Sequence, residues 1–132
     1  MRKLIVHQFI TLDGVIQAPG EAVEDIDDGF PYGGWSHPYW HDDIGAHFGQ
    51  AFAEADSILL GRKTWQIHGN AFGPHPDQDP FAGMQKYVVS NTLQSVEAWP
   101  GSFLIRGDAV EAVRQLKAQP GKNIIMDGSS VL

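Results

Sequence analysis

Ser57-Ile58-Leu59-Leu60 is followed without a break by Gly61-Arg62-Lys63-Thr64-Trp65. This junction constrains the fold more than anything else in the chain. A short, near-continuous apolar run reads as a strand buried on both faces, which is the habit of parallel sheets covered by helices. The glycine then breaks the run and a helical pattern begins. The same alternation recurs along the chain. Strands are expected over 3–10, at Tyr87-Val88-Val89-Ser90, at Ser102-Phe103-Leu104-Ile105 and at Asn123-Ile124-Ile125-Met126. Helices are expected over 41–55, from Arg62 to Ile67 with His68-Gly69 as the stop, and from Asp108 to the Pro120-Gly121 stop. Over 41–55 the residues Ile44, Phe48, Ala51, Phe52 and Ala55 fall on one apolar face. Asp108 and Glu111 form a D-x-x-E capping pair. Strands alternating with helices imply an α/β fold with a mostly parallel central sheet and flanking helices.

The chain has 132 residues, which fits one domain over residues 1–132. It carries no cysteine, so disulfides and thiolate chemistry are excluded. The net charge of -7 comes without a basic stripe, which argues against a nucleic-acid binder. No apolar run is long enough to cross a bilayer, and Met1 to Val6 lacks the features of a signal peptide, so a cytoplasmic location is expected. Residues 18–39 read as a long loop rich in glycine and proline, of the kind that forms lids or binding loops. Trp35, Tyr39 and Trp40 close it, and two readings stand: a wall for a flat heterocycle, or an apolar plug over the sheet, with the plug favoured. Residues 71–83 are a second loop.

In a chain this acidic, an anionic ligand needs a local basic spot. Gly61-Arg62-Lys63-Thr64 supplies one where a strand enters a helix. There, unpaired backbone N–H groups and the helix dipole favour phosphate, and ligands of open α/β sheets gather at the carboxyl ends of strands. The competing reading is a glycine turn followed by solvated basic residues. The segment is neither a P-loop nor a G-x-G-x-x-G fingerprint. Ser90-Asn91-Thr92 and Gly128-Ser129-Ser130 repeat the theme after two other strands. Each alone reads as a turn or cap; three at one sheet edge point to a binding groove. His37, His41 and His47 with Asp42 and Asp43 invite a metal reading, but Pro38 and the spacing do not put the histidines on one helical face, and no metal is expected.

Taken in order, Thr11-Leu12-Asp13-Gly14-Val15, Leu60-Gly61-Arg62-Lys63-Thr64-Trp65, Tyr87-Val88-Val89-Ser90-Asn91-Thr92-Leu93, Arg106-Gly107-Asp108 and Gly128-Ser129 resemble the dihydrofolate reductase-like superfamily. The branch they resemble is the C-terminal reductase domain of bacterial riboflavin biosynthesis enzymes. The resemblance implies a three-layer fold whose further C-terminal strands this chain lacks. It implies NADPH as cofactor, a flat nitrogen heterocycle such as a pterin or ribosylaminopyrimidine as substrate, and a homodimer. Arg62 would lie near the 2′-phosphate, Lys63 and Thr64 near the pyrophosphate, and Ser90 and Asn91 along the adenosine. Gly61 would let the ligand approach the backbone. Gly128, Ser129 and Ser130 would approach the phosphates, and Thr11 and Gly14 would border the nicotinamide. Asp43 is the candidate proton donor, with a capping role as its alternative. Two positions depart from the pattern. Many relatives carry arginine where Asn91 stands, and relatives usually have an apolar residue at Asp127. Loss of charge at one and gain of a carboxylate at the other leave open a second reading, a non-catalytic nucleotide-binding protein that retains the fold.

Overall fold

The computed structural model describes residues 1–132. Its sheet has five strands: β1 (Leu4–His7), β2 (Ala55–Gly61), β3 (Gln85–Val89), β4 (Ser102–Ile105) and β5 (Asn123–Asp127). They lie in the order β1-β5-β2-β3-β4, and all four pairings are parallel. Three α-helices accompany them: α1 (Asp42–Ala53), α2 (Arg62–Phe72) and α3 (Ala109–Ala118). No helix is long and apolar enough to cross a membrane.

The period-2 alternation of the strands divides the core in two. Ile58, Leu60, Val88 and Ile125 face one way and pack with Trp65 and Phe72 of α2, Phe52 of α1, Phe81 and Trp99. Leu59, Ile124, Tyr87, Val89 and Met126 face the other way, against Val113 and Leu116 of α3. A sheet sandwiched between α2 and α3 is the three-layer arrangement expected from the apolar β2 run. Ile58, Leu60, Val88 and Ile125 are fully buried, as strands covered on both faces require.

The chain divides into two units. Met1–His7 and Gln50–Leu132 form the sheet with its helices, and Gln8–Gly49 forms the second unit. In the second unit, residues 18–39 contain two short 3-10 turns, Asp27–Gly29 and His37–Tyr39. Its hydrogen bonds are local: the Trp35 indole donates to the Gln17 carbonyl at 2.8 Å, and Ser36 Oγ donates to the Pro19 carbonyl at 2.7 Å. Tyr39 and Trp40 are exposed.

Other boundaries also differ from expectation, each for a visible reason. β1 stops at His7 rather than running to residue 10, because its partner β5 ends at Asp127, opposite His7. Ala55 belongs to β2, not to the preceding helix, and is buried in the core. α2 passes through His68 and Gly69 to Phe72. Gly69 stays helical because it packs on Trp99, and a tertiary contact outweighs its poor propensity. α3 starts as read: Asp108 is its N-cap, accepting the Glu111 N–H at 3.0 Å.

Candidate functional site: the carboxyl edge of the sheet

Because every strand runs the same way, the segments after β2, β3, β4 and β5 emerge at one edge. Gly61, Val89 and Ile105 stand in a single transverse row, paired Gly61 to Val89 and Val89 to Ile105. The residues that follow that row are Arg62, Ser90 and Arg106. On the other side of β2, Leu59 pairs with Met126, and two residues on the chain reaches Gly128 beside Gly61.

Two of these segments interlock. The Gly61 N–H donates to Ser129 Oγ at 2.8 Å, and the Ser129 N–H donates to Thr64 Oγ1 at 3.1 Å. Gly128 and Ser129 both lie in the left-handed region, at φ +63° and +62°. A β-carbon on Gly128 would stand 3.3 Å from Thr64 Cγ2, so glycine there permits the close approach. Thr64 and Ser129 thus hold the start of α2 against the end of β5. Lys63 and Ser130 are exposed at the same edge. Arg62 is exposed too, and its Nη1 donates to Gln66 Oε1 one helical turn on, at 2.8 Å.

The other pair of segments is also tied together. Ser90 is buried, and its Oγ accepts the N–H groups of Thr92 and Leu93 at 3.2 and 3.0 Å, closing a turn. Asn91 Oδ1 accepts the Gly107 N–H at 2.9 Å. Arg106 donates through Nη1 to the Asn91 carbonyl and through Nη2 to the Leu93 carbonyl, at 3.1 and 2.6 Å. Arg106 was not among the residues singled out as ligands in the sequence. Its position straight after a strand, in Ile105-Arg106-Gly107-Asp108, was the signal.

Gly61, Arg62, Lys63, Thr64, Ser90, Asn91, Gly128, Ser129 and Ser130 therefore share one edge of one unit. Thr11, Gly14 and Asp43 belong to the other unit. Thr11 organises its own turn there: its hydroxyl donates to Asp13 Oδ1 at 2.5 Å and accepts the Val15 N–H at 2.8 Å. The Thr11 hydroxyl, with the Asp13 amide, holds the Asp13 carboxyl below its ordinary range. Gly14 completes the turn at φ +89°. Asp43 lies in the first turn of α1, its side chain 93% exposed and 3.3 Å from His41 Nδ1. Its backbone N–H donates to that same nitrogen at 3.2 Å, so His41 caps the helix.

Two shifted titratable groups lie elsewhere in the first unit, among aromatic rings. Burial beside Phe72, Phe81 and Trp99 holds the His68 imidazole below its ordinary value, against the pull of the Asp127 and Asp79 carboxylates. Lys86 is buried and its pKa is lowered, chiefly by that burial, with Asp79 opposing. Its Nζ donates to the carbonyls of Phe81 at 2.9 Å and Pro100 at 3.1 Å, and lies 3.6 Å from Asp79 Oδ2.

Comparison with known proteins agrees with this architecture. The chain is 27% identical over 138 aligned residues to the uncharacterised protein YyaP of Bacillus subtilis (strain 168), covering 99% of this chain and 65% of that one. A solved structure from Shewanella sp. PV-4, provisionally described as a riboflavin biosynthesis protein, superposes with a TM-score of 0.64 at 21% identity. That match covers 97% of this chain and 65% of the other, and at this identity it speaks for the fold. The chain thus spans about two thirds of the length of each protein. The family model described as the RibD C-terminal domain matches residues 2–132, and the chain belongs to that family.

Proposed function

We propose that this chain binds a nicotinamide dinucleotide, NADPH, along the carboxyl edge of its sheet and serves reduction of a flat nitrogen heterocycle. The observation that carries the reading is the convergence of four strand-end segments at one edge, with Arg62 and Arg106 directed to neutral partners rather than to carboxylates. Donor chemistry of this kind suits phosphate oxygens. When bound, such a cofactor supplies a hydride, so the protein's own part is placement. Arg62 and Lys63 bring positive charge to the start of α2. Thr64 and Ser129 lock that start against β5, fixing where an anion meets the helix. Ser90 and Asn91 shape the neighbouring turn. Gly128 keeps the backbone close, and Ser130 adds an exposed hydroxyl. Thr11 and Gly14 are assigned to the nicotinamide side and Asp43 to proton donation on the resemblance of their motifs to the family. The reading includes a homodimer, whose mass light scattering measures directly.

The binding half is tested by titrating NADPH and NADH while following the fluorescence of the four tryptophans. Saturable quenching by NADPH, weakened about tenfold or more by Arg62→Ala, is expected. Quenching that never saturates, or that Arg62→Ala leaves unchanged, overturns it.

A second reading has its own observation. His68 and Lys86, whose proton affinity is lowered chiefly by burial, sit among Phe81 and Trp99, while the Asp43 side chain stands in solvent. A nucleotide-binding protein without catalysis needs no tuned acid. Saturable NADPH binding with no loss of reduced-nicotinamide absorbance across a panel of pterins and aminopyrimidines favours this second reading.

A further inference from the structure

The charge of this chain is unevenly divided. The second unit, Gln8–Gly49, holds eight of the sixteen acidic residues and none of the nine lysines and arginines, a net side-chain charge of -8. The first unit holds the other eight acids and all nine bases, a net of +1. An imbalance of this size between two parts of one chain favours association between unlike surfaces.

The first unit has a groove of ≈ 800 Å³ at the amino edge of its sheet. Its walls are the segments that lead into three neighbouring strands: residues 1–3 before β1, Ala53 and Glu54 before β2, and residues 118–122 before β5. The floor is rigid. Arg2 is buried, its Nε donates to the Lys122 carbonyl at 2.7 Å, and its Nη2 donates to Ser57 Oγ at 2.7 Å and pairs with Asp56. Asp56 Oδ2 accepts the Lys122 N–H at 2.8 Å. A β-carbon on Gly121, at φ +153°, would stand 2.8 Å from that same oxygen, so glycine is needed there. With Arg2 neutralised by Asp56, the charge turned to solvent is that of Lys3 and Lys122, both exposed. Lys117 adds to it, since its carbonyl accepts the Arg2 N–H at 3.1 Å. Glu54 is the one acid in the lining, and Ala53, Ala118 and Pro120 give it apolar surface.

The second unit carries the complementary segment. Residues 21–28 contain Glu21, Glu24, Asp25, Asp27 and Asp28 and no base. Between these acids Val23 and Ile26 are 79% and 62% exposed. The segment is held by its own bonds. Gln17 Nε2 donates to the Asp25 and Asp27 carbonyls at 3.3 and 3.0 Å, and the Glu24 carboxylate accepts the Gly20 and Glu21 N–H groups at 2.6 and 3.1 Å. A preformed loop docks with little ordering cost. Apolar tips set among carboxylates match an apolar groove rimmed by lysines.

We infer that the amino-edge groove of one copy receives residues 21–28 of a second copy, so that the chain associates head to tail. Such a contact joins unlike surfaces. It leaves an open groove at one end and an open loop at the other, so copies add until a ring closes. None of its residues is assigned to the cofactor or the heterocycle, so the contact stands apart from that reading. Its charges lie at the surface, where salt screens them: the screening length falls from about 30 Å at 0.01 M salt to about 3 Å at 1 M.

The test is sedimentation velocity at those two salt concentrations, about 0.01 M and about 1 M. At low salt the wild type should exceed the 14.5 kDa of one chain and grow with protein concentration; at high salt it should shed copies. Glu21→Gln with Asp28→Asn disarms the loop, and Lys3→Gln with Lys122→Gln disarms the groove. Each pair should weaken low-salt association about tenfold or more. Lys3→Gln alone, which keeps the Lys122 Nζ bond to the Ala53 carbonyl, should act in the same direction by less. The loop variant keeps its groove and the groove variant keeps its loop. Mixed at low salt, the two should therefore form a one-to-one complex that stops at two chains. A wild-type mass that salt does not change overturns the inference. So does a variant pair that associates as the wild type does, or a mixture that stays apart. A salt-resistant dimer untouched by either pair likewise overturns it, and leaves the homodimer of the proposed function standing. A salt-released assembly from a chain that binds no NADPH keeps the inference and sinks the dinucleotide reading.

Discussion

Ser129 shows how one side chain can hold two segments. Its φ of +62° is a conformation that a residue with a β-carbon adopts at some cost. What holds it there is the bond from Gly61 N–H to its hydroxyl and the bond from its own N–H to Thr64. Ser129→Ala keeps the backbone cost and orphans the Gly61 N–H. Urea unfolding should register a loss of about 1–2 kcal/mol. Ser129→Gly also loses the hydroxyl but relieves the backbone, so it should lose less than Ser129→Ala. An alanine variant as stable as the wild type would mean the bond to Gly61 does not matter. The sequence marked Ser129 as polar and at a strand end. Its partner could not be read there, because Gly61 is 68 residues away and meets it only through the β2–β5 register.

His68 gives a prediction in pH. Its folded pKa lies below the ordinary 6.5, chiefly through burial, so the unfolded chain binds the proton more tightly. Stability should therefore be full above that value and fall as the pH drops below it. His68→Phe removes the titrating group while keeping a ring among Phe72, Phe81 and Trp99. Its unfolding free energy should be flatter than the wild type's between about pH 6.5 and 5. Two parallel curves through that window would mean that His68 is not the group responsible.

Among the elements, the strands were the most legible. An apolar run such as Ser57 to Leu60 can satisfy only one kind of environment, and β2 occupies it. α2 was legible at its start but not at its end. Gly69 reads as a stop because glycine is a poor helix former, and nothing local reveals that Trp99 lies against it. A β-carbon added at Gly69 would stand 3.5 Å from Trp99 Cβ, an ordinary contact. Gly69→Ala should thus gain about 0.5–1 kcal/mol from helix propensity with little to offset it, seen as a higher urea midpoint. A destabilised variant would show that Trp99 needs the glycine. Gly73 is the contrasting case. A β-carbon there would come within 2.3 Å of the Ala98 carbonyl oxygen, so Gly73→Ala should destabilise.

Across the whole molecule, the parallel sheet separates two jobs by edge. The carboxyl edge carries Arg62, bonded one turn along α2, Ser90, which closes the turn after β3, and Arg106, which ties the end of β4 to that turn. Near the opposite end of the same strands, the second residue of β3 is Lys86, which is 1% exposed and bonded to three carbonyls beside Asp79. Asp79 in turn accepts the Trp99 indole N–H at 2.7 Å and the Phe81 N–H at 2.8 Å. This network joins the loop between α2 and β3 to the sheet. It was not legible in the sequence, where Lys86 reads as an ordinary flank of an apolar strand. Lys86→Met leaves a buried carboxylate and several carbonyls without their cation, and should cost about 3–5 kcal/mol in urea unfolding. If the edges are separate, the folded fraction of Lys86→Met should still bind NADPH with wild-type affinity, while Arg106→Gln should lose affinity and keep its stability within about 1 kcal/mol. Measuring stability and affinity on both variants gives four numbers. If Lys86→Met lowers affinity in the folded state, or Arg106→Gln unfolds as readily as Lys86→Met, the division between the edges does not hold.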